Sequence, residues 1–219
     1  MCLSVDNISS ALTDKTKAVL YVNAYGNTDE IDKVEEFLNL RNIYLINDSA
    51  PALNCQFKGR PISSFGAFSI LSFYADKTIS TGEGGALLTD DQVLVKESNM
   101  YKHDGRKERG YDIIDRIGFN FRMTEMQAAV GIAQLKKLDE IVSTNRRNKS
   151  IVKNILSQSD KITFRRITDE EGETIPVSFH GDKELKNIRN GTEVRIIGGH
   201  IYNDNLTIPE DGKVEVLSG

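Results

Sequence analysis

Lys77 is the residue whose surroundings point most directly to chemistry. An apolar run at residues 68–73 reads as a buried strand, and Lys77 follows within four residues. A glycine turn, Gly82, Gly84 and Gly85 around Glu83, then leads into a second apolar run at 86–88. A lysine just past a strand, beside a turn whose backbone can approach a ligand closely, suits Schiff-base formation. A free lysine titrates near about 10.4 and is a poor nucleophile at neutral pH, and partial desolvation at the mouth of a sheet lowers that value. Taken alone, a lysine after a strand is also an ordinary surface residue. Asp48 is the second candidate, because it follows the apolar run 43–46, where an α/β sheet places its ligands. An aspartate there also serves as a turn former or helix cap.

The elements that must position these groups are legible as periodicity. Residues 18–23 form a short β-branched strand, and 43–46 form the next. Between them Asn27, Thr28, Asp29 and Glu30 carry a capping-box signature, and Ile31, Val34 and Leu38 follow at helical spacing. A helix over about residues 28–41 is expected. Strand, helix, strand at this spacing is a βαβ unit, which implies an α/β fold with a mainly parallel sheet.

Further on, residues 89–92 resemble a cap and 93–101 a helix. Residues 102–119 read as a loop whose basic cluster, Lys102, Arg106, Lys107 and Arg109, is interleaved with Asp104 and Glu108. That cluster could meet a nucleotide diphosphate, but its alternation of sign reads more simply as a solvated surface. A helix capped by Thr124 and Gln127 comes next, with Ala128, Ile132, Leu135 and Val142 on one face. The stripe breaks at 143–150 and resumes at Ile151, Val152, Ile155 and Leu156, so one long helix or two in series are expected. The last sixty residues change character. Short strand-like runs at 162–167, 174–179, 193–197 and 213–217 are punctuated by glycines, which suggests a small β-rich or α+β appendage.

Composition narrows the classes. The 219 residues carry 39% hydrophobic and 27% charged side chains, as ordinary soluble globular chains do. A net charge of −4 lacks the basic footprint of a nucleic-acid binder. Neither a membrane-length apolar run nor a charged-then-apolar signal pattern is present, so a cytoplasmic location is expected. Cys2 and Cys55 lack metal or disulfide spacing, and His103, His180 and His200 stand apart from other ligand types. No metal site is expected. Gly26 stands alone after the first strand, without the GxGxxG of a nicotinamide-binding domain.

Two longer strings add a resemblance. Ser72-Phe73-Tyr74, Lys77-Thr78 and Thr81-Gly82-Glu83-Gly84-Gly85 closely resemble the lysine segment of the DegT/DnrJ/EryC1/StrS aminotransferases. The stretch from Gly118 to Asp139 resembles a second segment of that family. The resemblance covers about residues 3–158 and implies a fold-type I large domain there, with 159–219 as the appendage. It implies pyridoxal 5′-phosphate as cofactor, and transfer of an amino group, typically from glutamate, to a nucleotide-linked keto sugar. By the same resemblance Lys77 would hold the cofactor as a Schiff base and shuttle the proton. Asp48 would pair with the pyridine nitrogen and Ser72 would hydrogen-bond the phosphate. Asn120 would reach the phosphate of the partner in a homodimer.

The chain also departs from that family. Leu3 already aligns well inside the domain, so the family's segment with the glycine-threonine phosphate turn and the stacking aromatic ring is expected to be missing. Pro51 stands where the family has a glutamine, and Asn23 where a histidine is frequent. With Lys77 the chain resembles the aminotransferase branch, since the dehydratase branch has histidine there. The alternative reading is a non-catalytic remnant or interaction subunit, and a separate chain carrying the N-terminal segment would reconcile the two.

Overall fold

The computed structural model describes residues 3–107, 110 and 112–157, and the backbone of 194–197 and 214–217. The order is α1 (Val5–Ala11), β1 (Ala18–Val22), α2 (Ile31–Asn39), β2 (Tyr44–Asp48), and a two-residue ribbon of β3 (Gln56–Phe57) and β4 (Arg60–Pro61). Then come β5 (Phe68–Ser72), β6 (Gly85–Leu88), α3 (Gln92–Lys102), α4 (Glu125–Leu135), α5 (Leu138–Leu156), β7 (Val194–Ile197) and β8 (Val214–Leu217).

The main sheet runs β1-β2-β5-β6. Its first three strands are parallel, and β6 returns antiparallel to β5. In register, Val22 pairs with Asp48 and Asp48 with Ile70. Alternation then sorts the side chains. Tyr21, Leu45, Asn47 and Ser69 are buried on one face, and Ile8, Ile31, Val34, Leu38, Cys55, Phe57, Ile62 and Phe65 complete that core. The opposite face is open along β1 and β2, with Leu20 54% and Tyr44 63% exposed. Parallel sheets are ordinarily covered on both faces, so this apolar face is unusual among the described residues.

Three expectations need correction. The helix expected over 28–41 is Ile31–Asn39, and Glu30 occupies the cap position without a side-chain cap bond. Asn27 and Thr28 are buried instead. The carbonyl of buried Thr28 accepts a 3.0 Å bond from the hydroxyl of Tyr21, which has no solvent to bond. The stripe expected to bury Ile132 and Leu135 leaves both exposed; α4 turns Gln127, Ala128, Gly131 and Gln134 inward. The break between α4 and α5 falls at Lys136–Lys137, while α5 runs unbroken through 143–150 and buries Val142, Val152 and Leu156.

The capping box at Thr124 and Gln127 forms as expected. α3 is capped by Asp91, which accepts from Val93 N at 2.7 Å. β7 and β8 pair in parallel, within the runs expected at 193–197 and 213–217. The runs at 162–167 and 174–179, with His180, His200 and Arg109, lie outside the described residues.

The core makes a direct contrast between two leucines of one helical region. Leu38 is fully buried, whereas Leu40 is 76% exposed. Leu38→Ala is expected to cost about 2–5 kcal/mol in urea unfolding, and Leu40→Ala to stay within about 0.5 kcal/mol.

Candidate functional site

The carboxyl ends of β1, β2 and β5 and the start of β6 share one edge of the sheet, because β6 runs opposite to the others. Asp48 is the last residue of β2 and Ser72 the last of β5. Asp48 pairs with Ile70, two residues before Ser72, so Asp48 and Ser72 lie on the same sheet face. That face is the open one.

Each group is held by a local bond. Asp48 Oδ1 accepts from Ala50 N at 3.0 Å, and among the described residues no donor reaches Oδ2. Ser72 Oγ accepts from Tyr74 N at 3.3 Å, which leaves its proton for another acceptor. Lys77 lies in the loop after β5, its backbone N donating to Tyr74 O at 3.1 Å and its Nζ 3.3 Å from Asp76 Oδ1. The loop is closed at its neck by Thr81 N donating to Phe73 O at 2.9 Å, and it is anchored by buried Ile79. Lys77 therefore sits on a short closed loop.

The glycine turn makes close backbone approach obligatory. A Cβ on Gly85 would lie 2.8 Å from Leu71 O, and one on Gly84 would lie 2.5 Å from Thr81 Oγ1. Side chains at either position would push the turn off the edge. The second string packs onto this turn. Gln127 Nε2 donates to Glu83 O at 2.8 Å while its Oε1 accepts from Thr124 N at 2.9 Å. Sequence reasoning found Gln127 as a cap and missed its second contact, which spans 44 residues of chain.

Asn120 is placed by the end of α3. It bridges His103 in antiparallel fashion, and Asp104 N donates to Phe119 O at 3.0 Å. Arg122 Nη1 donates to Asp104 Oδ2 at 2.8 Å, bracing the same segment. The Asn120 side chain is exposed, with Oδ1 accepting from Arg122 N at 3.4 Å. No hydrogen bond among the described residues joins it to Asp48, Ser72 or Lys77. Beside it Phe119 and Phe121 stack at 5.1 Å and face solvent, Phe121 being 69% exposed.

In the 102–119 loop, Lys107 pairs with Asp115 at 3.1 Å and Arg116 pairs with Glu97. Among the described residues no cluster of three or more His, Cys, Asp or Glu could hold a metal, and no helix is long and apolar enough to cross a membrane. An amine, a carboxylate with an open oxygen, a hydroxyl with an uncommitted proton and a glycine turn therefore lie at one edge of the sheet, with Lys77 Nζ against Asp76 and in no hydrogen bond or ion pair with Asp48 or Ser72 among the described residues. In kind, that donor set fits an aldehyde cofactor bearing a ring nitrogen and a phosphate.

The sequence matches the DegT/DnrJ/EryC1/StrS aminotransferase family over residues 1–191. The chain belongs to this family. It is 37% identical over 151 residues to GDP-perosamine synthase of Escherichia coli O157:H7, covering 69% of this chain and 42% of that one. Among solved structures, the Helicobacter pylori aminotransferase of pseudoaminic acid biosynthesis matches with a TM-score of 0.69 and 26% identity, over 73% of this chain and 43% of that one. The E. coli GDP-4-keto-6-deoxy-D-mannose-3-dehydratase with bound hydrated PLP matches with a TM-score of 0.68 and 27% identity, over 79% and 48%. The chain thus spans about two-fifths of the length of the GDP-perosamine synthases it matches. Its α/β fold is that of part of a fold-type I aminotransferase.

The brace at Asn120 has a pH signature. The Arg122 hydrogen bond holds the Asp104 carboxyl below its ordinary value. A depressed carboxylate adds stability above its unfolded pKa and loses it as the pH falls through the folded one. Carboxyl NMR is expected to place the Asp104 midpoint below the usual figure of about 3.9, and Arg122→Gln to move it back up toward that figure, with Arg106 and His103 still drawing it down.

Proposed function

We propose that this chain carries the reactive half of a pyridoxal-phosphate site for moving an amino group between an amino acid, glutamate foremost, and a nucleotide-linked keto sugar. The observation that carries the reading is the shared edge on which Asp48, Ser72 and the closed Lys77 loop meet. Family membership and the names of the aminotransferase relatives support it.

When bound, pyridoxal phosphate supplies an electron-withdrawing ring that takes up the electron pair left on the substrate's α-carbon. Lys77 Nζ would hold the cofactor through its aldehyde carbon, and the same amine would carry the proton to and from the α-carbon. Asp48 Oδ2, open to the bare face, would hold the proton on the ring nitrogen. The Ser72 hydroxyl would donate to the phosphate, and the glycine turn would let backbone approach it. Asn120 completes the phosphate site of a second copy, and the exposed Phe119–Phe121 stack beside it supplies apolar surface for that homodimer. Residues 1–158 would form the cofactor-binding part, with 159–219 as a separate appendage, and the protein would act in the cytoplasm.

One observation favours a second reading, in which the chain is a non-catalytic or interaction subunit. The sheet face that carries Asp48 and Ser72 is open along β1 and β2, and water there weakens every polar contact to a cofactor. Titration with pyridoxal phosphate separates the two. The first reading expects a saturable visible band that Lys77→Ala abolishes and that glutamate converts. A band absent from the parent protein, or unchanged in Lys77→Ala, would leave the subunit reading standing.

A further inference from the structure

Asn23 and Asn47 are buried amides at the ends of β1 and β2, and both are completely shielded from solvent. Asn47 Nδ2 donates to two carbonyls of the turn before β5, Ile62 O at 2.7 Å and Phe65 O at 3.2 Å. Those partners only accept, so the amide cannot flip, and its Oδ1 must face Asn23. Asn23 Nδ2 meets that oxygen at 2.5 Å and also donates to Asp48 O at 3.0 Å. Flipping Asn23 would set oxygen against oxygen at both Asn47 Oδ1 and Asp48 O; its third neighbour, Ser49 Oγ at 3.4 Å, is a hydroxyl that bonds either way and does not decide the orientation. The orientation therefore passes in one direction, from the turn through Asn47 and Asn23 to Asp48.

The same orientation leaves Asn23 Oδ1 buried without a partner among the described residues. An unpaired buried acceptor is unfavourable and rare, so the arrangement is retained in spite of a local cost. What it secures is the Asp48 peptide. The Asp48 carbonyl accepts from both Asn23 N, at 3.0 Å, and Asn23 Nδ2. On the other side of that peptide, Ser49 N donates to Ile70 O at 3.0 Å. The backbone bond is one that almost any residue at position 23 would make. The second bond needs a side-chain donor of this length.

We propose that Asn23 is a positioning residue for Asp48, its amide aimed by Asn47 so that the Asp48 carboxylate is held at the geometry a ring nitrogen requires. The inference rests on the reading of Asp48 given above. Removing the donor leaves the Asp48 peptide held by its backbone bonds alone, and the carboxylate on the opposite face is less tightly fixed.

The test uses Asn23→Leu, branched at the same carbon as Asn but bulkier and without a donor, with Asn23→Ser, whose hydroxyl is too short to make the bond, read in the same way should the leucine variant fail to fold. In the cofactor-free protein, exchange of the Ala50 amide, whose acceptor is the Asp48 carboxylate, is expected to quicken about tenfold at matched global stability. In the protein loaded with pyridoxal phosphate, the pH midpoint of the visible band is expected to move by about one unit, a tenfold change in proton affinity. Asp48→Asn is the control. A midpoint unmoved in Asp48→Asn would sink the reading of Asp48 itself, and a parent protein without any band would sink cofactor binding, while the Ala50 exchange still decides the role of Asn23. Unchanged exchange, or lowered stability with exchange and midpoint both unmoved, would overturn the proposal and make Asn23 a structural amide.

Discussion

The parallel register of β1, β2 and β5 is the constraint on which the rest of the structure depends. With Val22 opposite Asp48 and Asp48 opposite Ile70, period-two alternation sends Asn47 into the core and Asp48 to the other face. A slip of one residue would exchange them, burying a carboxylate among Ile62 and Phe65 and exposing the amide that ties the turn together. The register is also what brings Ser72 onto the face of Asp48. Everything chemical at this edge follows from a hydrogen-bond ladder and not from any single side chain.

Two segments far apart in the chain converge on that edge. The glycine turn after Lys77 and the N-terminus of α4 are joined by one glutamine, which caps its own helix and donates to the turn. Such double use explains why a helix with no buried residue is nonetheless placed. Its inward face is narrow and made of Gln127, Ala128, Gly131 and Gln134, and a Cβ on Gly131 would lie only 3.1 Å from Thr81 Cγ2. The apolar residues on its outer side, Met126, Val130, Ile132 and Leu135, are exposed, as are the stacked phenylalanines beside Asn120.

Much of this was legible in the sequence where local signals decide the outcome. The strands were readable from β-branched runs, and the caps at Thr124 and the 89–92 stretch from short polar patterns with a known mechanism. What failed were inferences needing tertiary knowledge. Residues 27–30 match a capping box in sequence, yet Asn27 and Thr28 are buried, the Thr28 carbonyl takes the Tyr21 hydroxyl, and Glu30 holds the cap position, none of which a local pattern reveals. The stripe through Ile132 and Leu135 looks like a core face but is exposed among the described residues. Lys77 and Asp48 stood out by type and position, whereas Asn23 was noted only as a departure from the family and Asn47 not at all, because an asparagine in an apolar run carries no signal of what it bonds. The polar signal was there at both positions; its direction was not.

The central claim is that the edge formed by Asp48, Ser72 and the Lys77 loop is a cofactor cradle. Incubation with pyridoxal phosphate, borohydride reduction and peptide mass mapping tests it most directly, since reduction fixes the cofactor to whichever amine holds it. The account predicts a single modified peptide, the one that contains Lys77. Label scattered over surface lysines, or concentrated on any lysine other than Lys77, would contradict it.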